Sequence, residues 1–111
     1  MQNVLSHSQM AIIQPCGHLN AANAEDFQQE LTASVSSNQC SVLLVDMSEV
    51  ESLDSAGLVA LVSALSLAQR LGKRFGLCGI SASSRIIFEL TQLDRVFEIF
   101  DDRSAFEVAI A

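Results

Sequence analysis

Val42-Leu43-Leu44-Val45-Asp46-Met47-Ser48-Glu49-Val50-Glu51-Ser52-Leu53-Asp54-Ser55-Ala56-Gly57-Leu58 runs from a continuous apolar stretch, through an acidic one, into the start of an amphipathic pattern. The apolar run Val42-Leu43-Leu44-Val45, inside a strand predicted over 41–47, suits a sheet covered on both faces. From Ser55 to Leu71 the apolar residues recur at helical spacing. Leu58, Leu61, Val62, Leu65, Ala68 and Leu71 form one stripe, and Gly72 stands where a C-terminal glycine ends a helix. Between them, residues 48–54 read as an acidic loop that delivers Ser55 to the helix start.

The same alternation continues on both sides. Asn3–Ser6 and Met10–Gln14 read as two short antiparallel strands joined near His7-Ser8-Gln9, and Pro15-Cys16-Gly17 ends the second. Ala24, Phe27, Leu31 and Val35 mark a helix over 20–35, with Asn20 or Asn23 at its cap. A strand follows over 75–80. Next come a helix over 83–90 with Ile86, Ile87 and Leu90 inward, a short strand near 97–100, and a final helix over 104–110. Strands alternating with helices predict an α/β layer architecture. No Pro/Gly-rich linker or internal repeat divides the 111 residues, so 1–111 is expected to be a single domain. In such folds the loops after the strands' carboxyl ends gather along one edge. Here those loops are 17–20, 48–54 and 80–83, which puts Asn20, Asp54, Ser55 and Ser83 on one surface.

Composition narrows the function. The net charge is −7, and the six basic residues are scattered, with only Lys73 and Arg74 adjacent. No basic stripe follows a phosphate backbone, which argues against nucleic acid and against anionic membranes. An acidic surface keeps a small domain soluble and would also suit a partner with a basic docking face. No apolar run is long enough to span a bilayer, and the N-terminus lacks a signal-peptide pattern, so the expected location is the cytoplasm. Cys16, Cys40 and Cys78 have no CxxC spacing, and Cys40 and Cys78, in or beside strands, read as packed thiols, while His7 and His18 are isolated; no metal site is expected.

The chemistry of the Leu53-Asp54-Ser55-Ala56-Gly57 turn can be sorted by elimination. A nucleophile elbow would put glycine where Leu53 stands and needs a histidine after the serine, yet both histidines precede Ser55. No phosphate-binding glycine loop is present, and Gly76 and Gly79 do not open a helix in the dinucleotide-binding manner. Asp46, Glu49, Glu51 and Asp54 resemble a Mg²⁺-binding cluster in number, but Lys73 lies at the far end of its helix, so they read as a solvated loop. No catalytic residue and no cofactor are therefore expected. As an N-cap, Ser55 would contribute about 1 kcal/mol to the helix. As a phosphate acceptor it would gain a charge of about −1.5 to −2. The helix start favours that charge by about 0.3–1 kcal/mol. Asp54, roughly 5 Å away, opposes it by about 1 kcal/mol in water and about 3 kcal/mol in a closed interface. Since each 1.4 kcal/mol or so is tenfold in affinity, a phosphate can break a complex and leave the domain folded.

The run Asp46-Met47-Ser48-x-Val50-x-x-Leu53-Asp54-Ser55-Ala56-Gly57-Leu58 resembles the signature of STAS domains, in particular the bacterial anti-sigma factor antagonists. Weaker likeness lies in Gly17-x-Leu19-Asn20, in the strand over 75–80 and in the closing segments through Phe97 and Ala105. The resemblance implies a STAS-like α/β domain, a small mixed β-sheet flanked by about four helices. It also implies partner switching: an anti-sigma factor with serine-kinase activity binds the unmodified protein and phosphorylates Ser55, and a serine phosphatase restores it. Asn20, Asp54, Ser55, Ala56, Gly57, Leu58 and Ser83 are then the expected partner-binding residues of a protein that is monomeric when free. Many members have aspartate where this chain has Asn20, a change that removes one charge from the partner-facing edge. The alternative is a non-enzymatic adaptor subunit of a membrane transport complex.

Overall fold

The computed structural model describes residues 9–110. Its strands are β1 (Met10–Ile13), β2 (Cys16–Leu19), β3 (Val42–Asp46), β4 (Glu49–Leu53), β5 (Arg74–Cys78) and β6 (Glu98–Phe100). Its helices are α1 (Ala24–Ser36), α2 (Ser55–Arg70), α3 (Ala82–Leu90) and α4 (Arg103–Ile110), with a 3₁₀ turn at Leu93–Arg95. The α/β class and the four helices agree with the sequence pattern. The strand expected at Asn3–Ser6 lies outside the described residues, and so does its antiparallel pairing.

Two sheets are present among the described residues, a four-stranded one in the order β1-β3-β5-β6 and a two-stranded one, β2-β4. All pairings within them are parallel. β3 is covered on both faces, as its unbroken apolar run predicts. Leu43 and Val45 join the main core with Phe27, Leu31 and Val35 of α1, Leu58, Leu61 and Leu65 of α2, and Phe88 of α3. Leu44, on the opposite face, packs with Cys78 and with Phe106 of α4. Gly76 in β5 makes that second contact possible: a Cβ there would overlap the Phe106 ring. Three helices thus cover one face of the sheet and one short helix covers the other.

Two strands were not legible in the sequence. The first strand does end before Pro15, but Cys16 and Gly17 are not a loop: the chain leaves the first sheet at Pro15 and resumes as β2 in the second. Gly17, at φ +75°, lies beside an irregularity in the β2–β4 register between Gly17 and His18. The glycine accommodates a backbone conformation that side chains with a Cβ disfavour. The acidic stretch 48–54 is not a loop throughout, because Glu49–Leu53 is strand β4 with Val50 and Leu53 buried. Helix α3 also turns differently from the expectation. Ser84 and Phe88 face inward, whereas Ile86 and Leu90 are exposed at 55% and 79%. Leu71 likewise ends outside the core, at the α2 C-terminus before Gly72 (φ +69°).

Candidate functional site

Parallel pairing of β2 with β4 brings their carboxyl ends together, with Leu19 opposite Leu53. The next residues, Asn20 and Asp54, therefore leave the sheet side by side, and the Asp54 N–H donates to the Leu19 carbonyl at 3.0 Å. The Asn20 corner is braced locally. Its N–H donates to Asn23 Oδ1 at 3.0 Å, its Oδ1 accepts the Ala22 N–H at 2.9 Å, and Asn23 Nδ2 donates to the His18 carbonyl at 2.7 Å. Asn23 occupies the cap position of α1 without a side-chain bond into the helix; its side chain instead ties α1 to the end of β2.

The cap of α2 is Asp54, not Ser55. Asp54 Oδ1 accepts the N–H groups of Ala56 at 2.9 Å and Gly57 at 3.1 Å. A carboxylate at this position satisfies otherwise unpaired donors and complements the helix dipole. Ser55 is consequently the first residue of the helix, exposed, with its neighbour's negative charge already seated on the first-turn N–H groups. Gly57 and Leu58 are buried, so they seat the turn and do not form its surface. Glycine is required at 57 by close packing: a Cβ would stand 2.7 Å from Leu53 Cδ1 and 2.9 Å from Leu19 Cβ. Asp54 and Ser55 are exposed, and Asn20 and Ala56 are half-buried. Ser83, in the first turn of α3, is exposed and lies 3.2 Å from Ser81 Oγ, while Ser81 caps that helix through the Ser84 N–H. Its hydroxyl makes no hydrogen bond to the Asp54–Ser55 turn among the described residues.

The four carboxylates of the acidic stretch are separated by the strand. Asp46 is buried and committed elsewhere: it accepts from Arg103 Nε at 2.7 Å, from the Ser48 N–H at 3.0 Å and from Gln14 Nε2 at 3.3 Å. Burial by itself would raise the Asp46 carboxyl, but the hydrogen bonds from Arg103 and Ser48 outweigh it and hold the group below the usual carboxylate range. This ion pair borders a crevice of about 260 Å³ at the carboxyl ends of β3, β5 and β6, which Asp101, Asp102, Gly79 and Ser104 also line. The Cys78 thiol behind it is pushed up to about 11, by burial first and then by the Asp46 charge. A thiol held protonated is a packing group, not a nucleophile. Among the described residues no group of three or more His, Cys, Asp or Glu is arranged to hold a metal ion. No helix among them is long and apolar enough to cross a membrane. Sequence reasoning missed the hydrogen bond between His18 Nδ1 and Ser52 Oγ, 2.6 Å long, because it depends on the β2–β4 pairing.

Comparison with known proteins matches residues 2–105 to the STAS domain. BtrV of Bordetella bronchiseptica, named as an anti-sigma factor antagonist, is 34% identical over 90 residues, which are 80% of this chain and 76% of that protein. The crystal structure of TM1081 from Thermotoga maritima, named in the same way, superposes with a TM-score of 0.81 at 28% identity, covering 86% of this chain and 82% of the other. The Bacillus cell fate determinant SpoIIAA in its phosphorylated form gives a TM-score of 0.71 at 14% identity, covering 92% of each chain, a likeness of fold. Sequence match and shared architecture agree with the Leu53-Asp54-Ser55-Ala56-Gly57 turn at the head of α2, and the chain belongs to the STAS domain family.

Proposed function

We propose that this chain is an anti-sigma factor antagonist that acts by partner switching. Unphosphorylated, it binds an anti-sigma factor with serine-kinase activity; phosphorylation of Ser55 releases it, and a serine phosphatase returns it to the binding form. In this reading the chain is one cytoplasmic STAS domain, monomeric when free, with no cofactor and no enzymatic activity of its own. Asn20, Asp54, Ser55 and Ala56 supply the contact surface, Gly57 and Leu58 seat it, and Ser83 lies at its margin.

The observation that carries this reading is the occupied helix start. Asp54 already uses the Ala56 and Gly57 N–H groups, so a phosphate on Ser55 meets a fixed carboxylate instead of free donors. Its charge is then tolerated in water and opposed in a closed interface. At an effective dielectric near 20 and about 5 Å, that opposition is about 3 kcal/mol per unit charge, or roughly a hundredfold in affinity. The names of BtrV and TM1081 point to the same role.

The test is to capture the partner on the unphosphorylated protein, supply ATP and map the phosphopeptide. Phosphate on Ser55 followed by dissociation supports partner switching, and phosphate confined to another residue overturns it. Recovery of ATP-binding-cassette transport components, with no kinase, would favour the adaptor alternative.

A further inference from the structure

We infer that Ser52 is a second phosphoryl-acceptor site, with His18 as its built-in general base; this rests on the kinase-partner reading above. His18 and Ser52 are cross-strand partners in the β2–β4 ladder, and both are exposed. The 2.6 Å separation of Nδ1 and Oγ is a short hydrogen bond. With the ring proton on Nε2, Nδ1 accepts the Ser52 O–H, which is the arrangement that activates a serine hydroxyl. Other exposed serines differ. Ser48 Oγ faces the Gln14 amide, and the Ser81 and Ser83 hydroxyls face each other. Among the described residues, Ser52 is the serine whose hydroxyl meets a ring nitrogen.

Ser52 also lies within reach of the docked partner. It precedes Ser55 by three residues, about 10 Å of extended chain, on the strand that ends at the Asp54 turn. In the transfer, Ser52 Oγ attacks the terminal phosphorus of ATP held by the kinase. The new O–P bond forms as the bond from that phosphorus to the bridging oxygen breaks, ADP leaves, and the Ser52 proton passes to Nδ1 of His18. The resulting imidazolium faces the new phosphate as a counter-charge. Ser55 has no such base on its own chain and depends on the kinase for one.

The test uses the full chain, the captured kinase and ATP, with site-resolved mass spectrometry. Wild type, Ser55→Ala, Ser52→Ala with Ser55→Ala, and His18→Gln alone and with Ser55→Ala are compared after circular dichroism shows them folded. The Ser55→Ala protein is expected to take up phosphate on Ser52, and the double serine variant to take up none. His18→Gln keeps a hydrogen-bonding partner for Ser52 but cannot take up its proton. It is expected to slow Ser52 labelling roughly a hundredfold while Ser55 labelling stays within about twofold of wild type. Wild type labelled on Ser55 with Ser55→Ala unlabelled overturns the second site and leaves the first intact. Equal Ser52 labelling in the presence and absence of His18→Gln overturns the base assignment. Wild type labelled at neither serine overturns both readings.

Discussion

Gly57 sits so close to Leu19 that a Cβ on the glycine would stand 2.9 Å from both the Leu19 Cβ and the Leu19 carbonyl oxygen. The same carbonyl accepts the Asp54 N–H, so the loops that carry Asn20 and Ser55 meet at one backbone contact. Gly57→Ala is expected to lose about 1–3 kcal/mol from overpacking, read as a lower denaturant midpoint in urea. A stability unchanged from wild type would mean that α2 can lift away from β2 without cost.

Asp54 performs two separable jobs, capping α2 and supplying charge beside Ser55. Asp54→Ala should destabilise the fold by about 0.5–2 kcal/mol through loss of the cap. Asp54→Asn keeps a capping oxygen and should retain most of that stability. If the charge is what expels a phosphorylated Ser55 from the complex, Asp54→Asn should narrow the affinity gap between phosphorylated and unmodified protein. Titration calorimetry of both forms checks this.

The Asp46–Arg103 pair predicts an acid-limited stability. The Asp46 carboxyl is held below its ordinary value of 3.8. The unfolded chain therefore binds that proton more readily, and the pair's contribution is present above about pH 4 and is lost as pH falls through the lower folded value. Arg103→Met should remove that part of the pH dependence and lower the melting temperature at pH 7 more than at pH 3. Parallel melting curves of wild type and variant from pH 2.5 to 7 test the sign.

Lys73 closes the C-terminus of α1 from a distance, its Nζ donating to the carbonyls of Val35 at 2.6 Å and Ser37 at 2.7 Å. A cation on the last carbonyls of a helix satisfies acceptors that have no partner within it. Lys73→Met keeps the aliphatic stem and is expected to cost about 1–2 kcal/mol, seen as faster amide exchange in the last turn of α1.

Much of this was readable from the sequence because the apolar run at β3 and the stripe of α2 are strong periodic signals. Leu43 and Val45 on one face and Leu44 on the other account for the unbroken run. Strand β4 was not readable, since Glu49, Glu51 and Ser52 are exposed and its buried residues, Val50 and Leu53, are three apart instead of two. Only pairing with the irregular β2 makes it a strand. Helix α3 misled for the opposite reason. It is apolar at 86, 87, 88 and 90, so its pattern does not choose a face, and the buried position Ser84 is polar. At the head of α2, Asp54 and Ser55 were legible as neighbours at a helix start, but which one caps depends on dihedral angles that spacing does not reveal. Asp54 has the extended backbone of a cap residue (φ −103°, ψ −174°), while Ser55 is already helical.

In the proposed switch, charge on Ser55 governs partner affinity. Calorimetric titration of the captured anti-sigma kinase with unmodified protein and with Ser55-phosphorylated protein decides it. A phosphorylated form that binds at least tenfold more weakly, with an unchanged circular dichroism spectrum, is the predicted result. Equal affinity of the two folded forms would contradict it.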